Sequence, residues 1–331
     1  MKSLIHSLGL RLLLSTIALL WACVGSAHEF RPAYLELTQL QQGEYLFFLS
    51  APSQIGSGQG LSMRPTGDCT ITETTHRTSS RSWSVLGRLS CGSVETLMVD
   101  GLRGSQSDLM ARIVTARGER FVHLHGEKSQ LDLRLESNPQ ENRVNLLLEG
   151  MVHVWAGWDH LLYLVLLFFY LRQSLRALVI GVTAFTVGHS LSLASAVLDV
   201  VTLPARPVEA VIALTIAYFA IQLMYGRTAN PRRMFATQAV IFGCGLVHGL
   251  GFAYSLEALR FGHDSLVFGL LTFNIGIELG QLGVFGALML LSSLFSQIIR
   301  PMAEARSLLQ LISCSVIGAV GCYWYFERLV V

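Results

Sequence analysis

Residues 149–171 read EGMVHVWAGWDHLLYLVLLFFYL. At about 1.5 Å of helical rise per residue, this stretch spans the ~30 Å of hydrocarbon in a bilayer. Its apolar run is interrupted by His153, Asp159 and His160. A charged side chain at the bilayer centre costs roughly 2.5–3.5 kcal/mol on insertion scales, so ionisable residues placed there have partners or a task. The stretch therefore decides two things at once: the chain crosses a membrane, and it carries ionisable chemistry into the crossing.

The surrounding sequence agrees. Of the 331 residues, 52% are hydrophobic and 14% charged, with a mean hydropathy of +0.50. A soluble domain carries about 25% charged residues. Six spans follow from the apolar runs, at about 149–171, 175–200, 207–225, 235–257, 265–294 and 308–326. The loops between them carry Arg172 and Arg176, then Arg227, Arg232 and Arg233, then Arg300 and Arg306. All seven fall on one side if the N-terminal region and the C-terminus lie on the other. The positive-inside rule puts that arginine side in the cytoplasm. The expected location is a bacterial-type inner (cytoplasmic) membrane, with both ends of the mature chain outside. The net charge of +2, without a basic run or an interleaved aromatic patch, argues against a nucleic-acid partner.

Ahead of the spans, residues 1–27 read as a secretory signal. Lys2 and Arg11 are its basic end, Leu12 to Leu20 its apolar core, and Gly25-Ser26-Ala27 its small cleavage residues. Residues 28–145 read as a small extracytoplasmic all-β domain, a sandwich of short strands. Tyr34 to Leu37, Tyr45 to Leu49 and Met110 to Val114 are β-favouring runs, Leu131 to Glu136 alternates apolar with charged, and Gly56-Ser57-Gly58 is a break. Cys69 and Cys91 are the two cysteines of this polar region. An exported domain should pair them, closing a loop worth about 3 kcal/mol. Cys244, Cys314 and Cys322 fall in apolar spans, and Cys244 reads as a buried thiol rather than a ligand.

Depth links the polar residues of the spans. His160 lies about 16 Å into the first span at helical rise. His189 and His248 lie about as deep in the second and fourth spans, and Glu278 in the fifth. On an unbroken helix His153 and His160, seven apart, share one face, with Asp159 a step round. Asn274, Glu278 and Gln281 make a polar stripe at i, i+4 and i+7, and Ser190 adjoins His189. Glycines flank both: Gly243, Gly245, Gly249 and Gly251 around His248, and Gly269, Gly276 and Gly283 beside Glu278. These permit close helix approach. Imidazoles with carboxylates suit a divalent transition metal such as Ni, Co, Zn or Fe, and the lack of clear thiolates disfavours Cu(I). The expected ligands are His153, Asp159, His160, His189, His248 and Glu278. Asn274, Gln281, Ser190 and His28 form a second tier, His28 because cleavage before it would expose an amino-terminal chelate.

At these residues the sequence resembles the HupE/UreJ family of nickel-permease-like membrane proteins. The resemblance rests on His153-Val154-Trp155-Ala156-Gly157-Trp158-Asp159-His160, on Gly188-His189-Ser190, on Leu246-Val247-His248-Gly249 and on the Asn274/Glu278 segment. It covers about residues 148–326. It implies that His153, Asp159 and His160 bind a transported metal. Permease members typically carry Pro after the first His, where this chain has Val154. They usually lack an exported β domain, so this chain reads as a distinct branch.

Three functions compete. A transition-metal permease, with ligands at the midplane between glycine-rich helices, fits alternating access, and the helices could form two inverted halves. A zinc-dependent intramembrane hydrolase would use three His for the metal, Asp159 or Glu278 as general base and Ser190 for an oxyanion. A metal sensor or assembly factor would work through its β domain. Beyond the metal ion and the bilayer, the sequence leaves room for an extracytoplasmic partner of the β domain and for self-association.

Overall fold

The computed structural model describes residues 33–330 apart from 53–60, 67, 79–81, 93–95, 103–108, 117, 125–128, 134–138, 172–173, 199, 202, 257–262 and 299–302. The expected leader and His28 lie outside the described residues. Two compact units emerge. One comprises Phe30–Leu148 with Ser255–Thr272, and the other Glu149–Tyr254 with Phe273–Val331.

Among the described residues, the first unit contains nine strands: β1 Ala33–Gln41, β2 Glu44–Pro52, β3 Ser62–Thr66, β4 Thr70–Thr78, β5 Ser82–Ser90, β6 Thr96–Asp100, β7 Leu109–Thr115, β8 Gly118–Leu124 and β9 Gln130–Asp132. A six-stranded sheet has the order β4-β5-β2-β1-β7-β8, and a three-stranded sheet the order β3-β6-β9. All pairings are antiparallel except β1 with β7. Period-2 alternation sets the inner face. Leu35 opposes Leu49 and Leu37 opposes Phe47 across β1 and β2, and all four are buried. They share one apolar core with Leu97, Val99 and Leu131 of the smaller sheet. The expected sandwich is therefore present.

Position-specific chemistry pins this unit. Gly43, in the β1–β2 turn, has φ +78°, and a Cβ there would run into the Cys91 carbonyl. Its own carbonyl accepts the Cys91 N–H at 2.6 Å. Cys69 and Cys91 are disulfide-bonded, stapling the open end of the β4–β5 hairpin. Arg112, 3% exposed, bonds Glu36 at 3.3 Å and Glu119 at 2.8 Å, so its charge is compensated where it is buried.

Among the described residues, seven α-helices follow: α1 Pro139–Ala156, α2 Trp158–Leu171, α3 Leu175–Val197, α4 Ala205–Met224, α5 Met234–Leu256, α6 His263–Ile298 and α7 Ala303–Val330. Ser174 caps α3, its hydroxyl accepting the Ala177 N–H at 3.2 Å. Among the described residues, four helices are long and apolar enough to cross a membrane, or five if the bent pair α1/α2 is one span. Apolar residues such as Val187, Leu191, Leu214, Ile221 and Ile275 are exposed on them, as a surface meeting lipid requires. The expected sixth span coincides with α7, but α7 is not among these helices.

The expected first span is not one straight helix. It breaks at Gly157, where α1 and α2 meet at 74°. Glycine costs a helix interior about 1 kcal/mol relative to alanine. A side chain at 157 would also lie 2.8 Å from the His153 carbonyl oxygen and 2.9 Å from His160 Nδ1. Both the local propensity and the space allow the bend only for glycine.

Candidate metal centre

The bend creates the site. Seven residues on a straight helix lie about 10.5 Å apart along the axis, yet the rings of His153 and His160 are 4.7 Å apart. His153 ends α1 and His160 begins α2, so the break folds one towards the other. The shared helical face expected for the pair is replaced by a closer juxtaposition across the break. Gly150 presses α1 against α6: a Cβ there would overlap the Phe273 carbonyl. Trp155 Nε1 donates to the Gly280 carbonyl at 3.1 Å, anchoring the end of α1.

His189 and His248 arrive by another close approach. A Cβ at Gly188 would overlap the Phe242 carbonyl, one at Gly245 the Phe185 carbonyl, and one at Gly249 the His189 carbonyl and Ser192 Oγ. Thus α3 and α5 touch backbone to backbone through small residues, the membrane mode of helix packing. This contact sets His189 5.9 Å from His153 and 6.0 Å from His160, ring to ring. The His248 ring lies 5.2 Å from that of His160.

One nitrogen from each of His153, His160 and His189 lies within 4.8 Å of the other two. A tetrahedral ion with metal–nitrogen bonds of about 2.1 Å holds its ligands about 3.4 Å apart. A modest inward rotation of the rings reaches that. Among the described residues, His153 Nε2 and His160 Nε2 are buried without a hydrogen-bond partner. Buried polar atoms are rarely left so. His189 is 0% exposed and His160 7%. Phe252 and Phe273 close over His153, at 3.9 Å and 5.7 Å between ring centres. Phe185 and Tyr163 flank His248 at 5.1 Å and 5.2 Å. The donor set and its dry aromatic wall fit a borderline divalent ion.

His248 stands beside this triad. Thr215 donates its single hydroxyl proton to the Ile212 carbonyl at 2.7 Å. The Thr215 oxygen can then only accept from His248 Nε2, 3.1 Å away. The hydrogen is thus on Nε2, and Nδ1, buried and unpartnered among the described residues, presents its lone pair. A bond of this kind fixes the tautomer of a ligating histidine.

The carboxylates have partners of their own. Asp159 lies 3.0 Å from Arg328, and Glu278 accepts from Thr183 at 2.7 Å. Gln281, fully buried, accepts from Thr186 at 3.1 Å, while Asn274 faces His189. Ser190 donates to the Thr186 carbonyl at 2.7 Å in its own helix. The groups a hydrolase would need as base and oxyanion donor thus each have a partner other than the triad histidines. Cys244 is buried and unbonded to any other cysteine, as expected. Thr215, Arg328 and the aromatic wall escaped the sequence reading. Threonines and phenylalanines are ordinary in spans; only Arg328, a charge near the end of an apolar run, was a usable signal.

The family model described as HupE / UreJ protein matches residues 129–328, more than half of the chain, and the chain belongs to that family. A comparison with curated proteins finds no match.

Proposed function

We propose that this HupE/UreJ chain is a transition-metal permease whose cargo is held by His153, His160 and His189, with His248 as a flanking ligand. The observation that carries the reading is the convergence of three imidazole nitrogens within 4.8 Å, on two sides of a broken helix and on a third helix. Discontinuous helices with a ligand site at the break are how many transporters expose one site alternately to two sides. The 74° bend at Gly157 supplies a joint at which the ligand set can open without unfolding a span. Neutral imidazoles bind borderline ions reversibly, and Ni, Co, Zn or Fe suits them. Asp159 and Glu278 belong to the transport path as charges that an ion meets on its way, and Asn274, Gln281 and Ser190 as polar wall.

The orientation follows from the arginines. Arg172, Arg176, Arg227, Arg232, Arg233, Arg300 and Arg306 face the cytoplasm, and the β unit lies outside after removal of residues 1–27. Its disulfide suits that compartment.

The test is ion flux into sealed proteoliposomes, with Ni, Co, Zn and Fe offered one at a time and His160→Ala as control. Entry of one ion that the variant loses is the expected result. Stoichiometric metal on the protein with no flux of any ion would refute the permease and leave a resident metal centre.

A further inference from the structure

Arg328, in the last turn of α7, lies outside the histidine cluster but holds its chain neighbour. Nη2 donates to both Asp159 oxygens, at 3.0 Å and 3.3 Å. Nη1 donates to the Glu209 carbonyl of α4 at 2.8 Å. The Arg328 and Asp159 side chains are 9% and 13% exposed, and the guanidinium sits 5.3 Å from the centre of the Trp324 ring. Close packing carries this arrangement: a Cβ at Gly321 of α7 would already touch the Ala213 carbonyl and Ala217 N–H of α4, both at 3.1 Å. The pair thus ties together the start of α2, the first turns of α4 and the end of α7.

Asp159 precedes His160 in the first turn of α2. A dication among neutral imidazoles brings two charges into a dry site, and burial of uncompensated charge is strongly unfavourable. Asp159 is the carboxylate one residue from a ligand, and its charge is already committed to a fixed guanidinium. One carboxylate cannot fully compensate two cations. We infer that Arg328 is a positioning residue, a built-in counter-cation that competes with the cargo for Asp159. When the ion arrives, Asp159 turns to it and the α7 end is released. When Arg328 takes Asp159 back, the ion is expelled. This rests on the permease reading and adds a coupling that the histidines alone do not supply.

The experiment compares Ni²⁺ binding to the purified full chain in detergent with Ni²⁺ flux in proteoliposomes. Arg328→Gln should bind Ni²⁺ on the order of tenfold tighter, about 1.4 kcal/mol, and transport it more slowly. Arg328→Lys, which keeps the charge, should restore both values towards the parent. Adding Arg328→Gln to Asp159→Asn should change nothing further. A merely structural arginine predicts weaker binding and slower flux together. Equal or weaker Ni²⁺ binding by a folded Arg328→Gln variant overturns the inference. The parent protein gives an independent readout should that variant not fold. Phenylglyoxal modification of Arg328, followed at that residue by mass spectrometry, should quicken with Ni²⁺; unchanged or slower modification overturns the inference. A parent that binds none of Ni²⁺, Co²⁺, Zn²⁺ or Fe²⁺ instead refutes the histidine centre, and this inference falls with it.

Discussion

Replacing Gly157 by alanine should cost the protein its metal. The added Cβ would lie 2.8 Å from the His153 carbonyl oxygen and 2.9 Å from His160 Nδ1, both closer than carbon tolerates. Relieving such overpacking typically costs 1–3 kcal/mol. Alanine also favours the straight helix by about 1 kcal/mol, and straightening carries the two imidazoles towards about 10.5 Å of axial separation. An ion with bonds of about 2.1 Å cannot bridge that distance. The two effects act in the same direction and sum to about 2–4 kcal/mol against the ligating geometry. Affinity should fall about 30- to 1,000-fold. The assay is competition for Ni²⁺ or Zn²⁺ against a chelator of known affinity. Thermal unfolding of the metal-free proteins should show the variant less stable than the parent, because the folded state either keeps the Cβ clash or gives up the contacts of α1 to relieve it. A variant that binds within threefold of the parent would refute the claim that the bend builds the site.

The remaining predictions separate the site from its scaffold. Gly249→Leu should push α5 off α3 at His189 and Ser192, lowering both metal affinity and melting temperature in thermal unfolding, since backbone contact leaves no room to yield. Cys69→Ser should destabilise the β unit by about 3 kcal/mol in denaturant unfolding of the full chain and leave metal affinity unchanged. Saturating metal at 100 times its dissociation constant should stabilise the parent by about 2.7 kcal/mol. That gain should vanish in His189→Ala and survive in Glu278→Gln, whose carboxylate is turned to Thr183; equal losses in the two variants would contradict the assignment.

The sequence disclosed the site's membership better than its geometry. His153, His160, His189 and His248 announced themselves because each costs free energy in an apolar span, and depth alone brought His160, His189 and His248 to one level. What depth cannot show is direction. Asp159 was expected beside His160 as a ligand, but one step along a helix turns a side chain by about 100°, enough to hand it to Arg328. The bend was hidden because a single glycine within an apolar run is tolerated in a helix as often as it breaks one. In the β unit, half of the alternating stretch Leu131 to Glu136 lies outside the described residues, while β1, β2 and β7 were readable as β-favouring apolar runs. The strand β4, with its Thr-rich and mostly exposed sequence, was not, since an edge strand with little buried surface leaves no apolar pattern.

The displaced carboxylates bear on the choice between a resident metal and a cargo. A structural or catalytic zinc site is closed by ligands whose charge and second-shell bonds hold the ion for the life of the protein. Here the convergent donors are three imidazoles, and Asp159 and Glu278, the two carboxylates expected as ligands, bond Arg328 and Thr183. An ion bound by such a set keeps part of its charge uncompensated in a poorly solvating interior even when Asp159 turns to it, so its affinity is moderated by the cost of burial. A passage site needs that property: binding strong enough to admit the ion and weak enough to release it. A hydrolase would need the opposite arrangement, with a tightly held metal and a carboxylate aimed at its water. The distribution of charge around the histidines, more than the histidines themselves, thus favours transport.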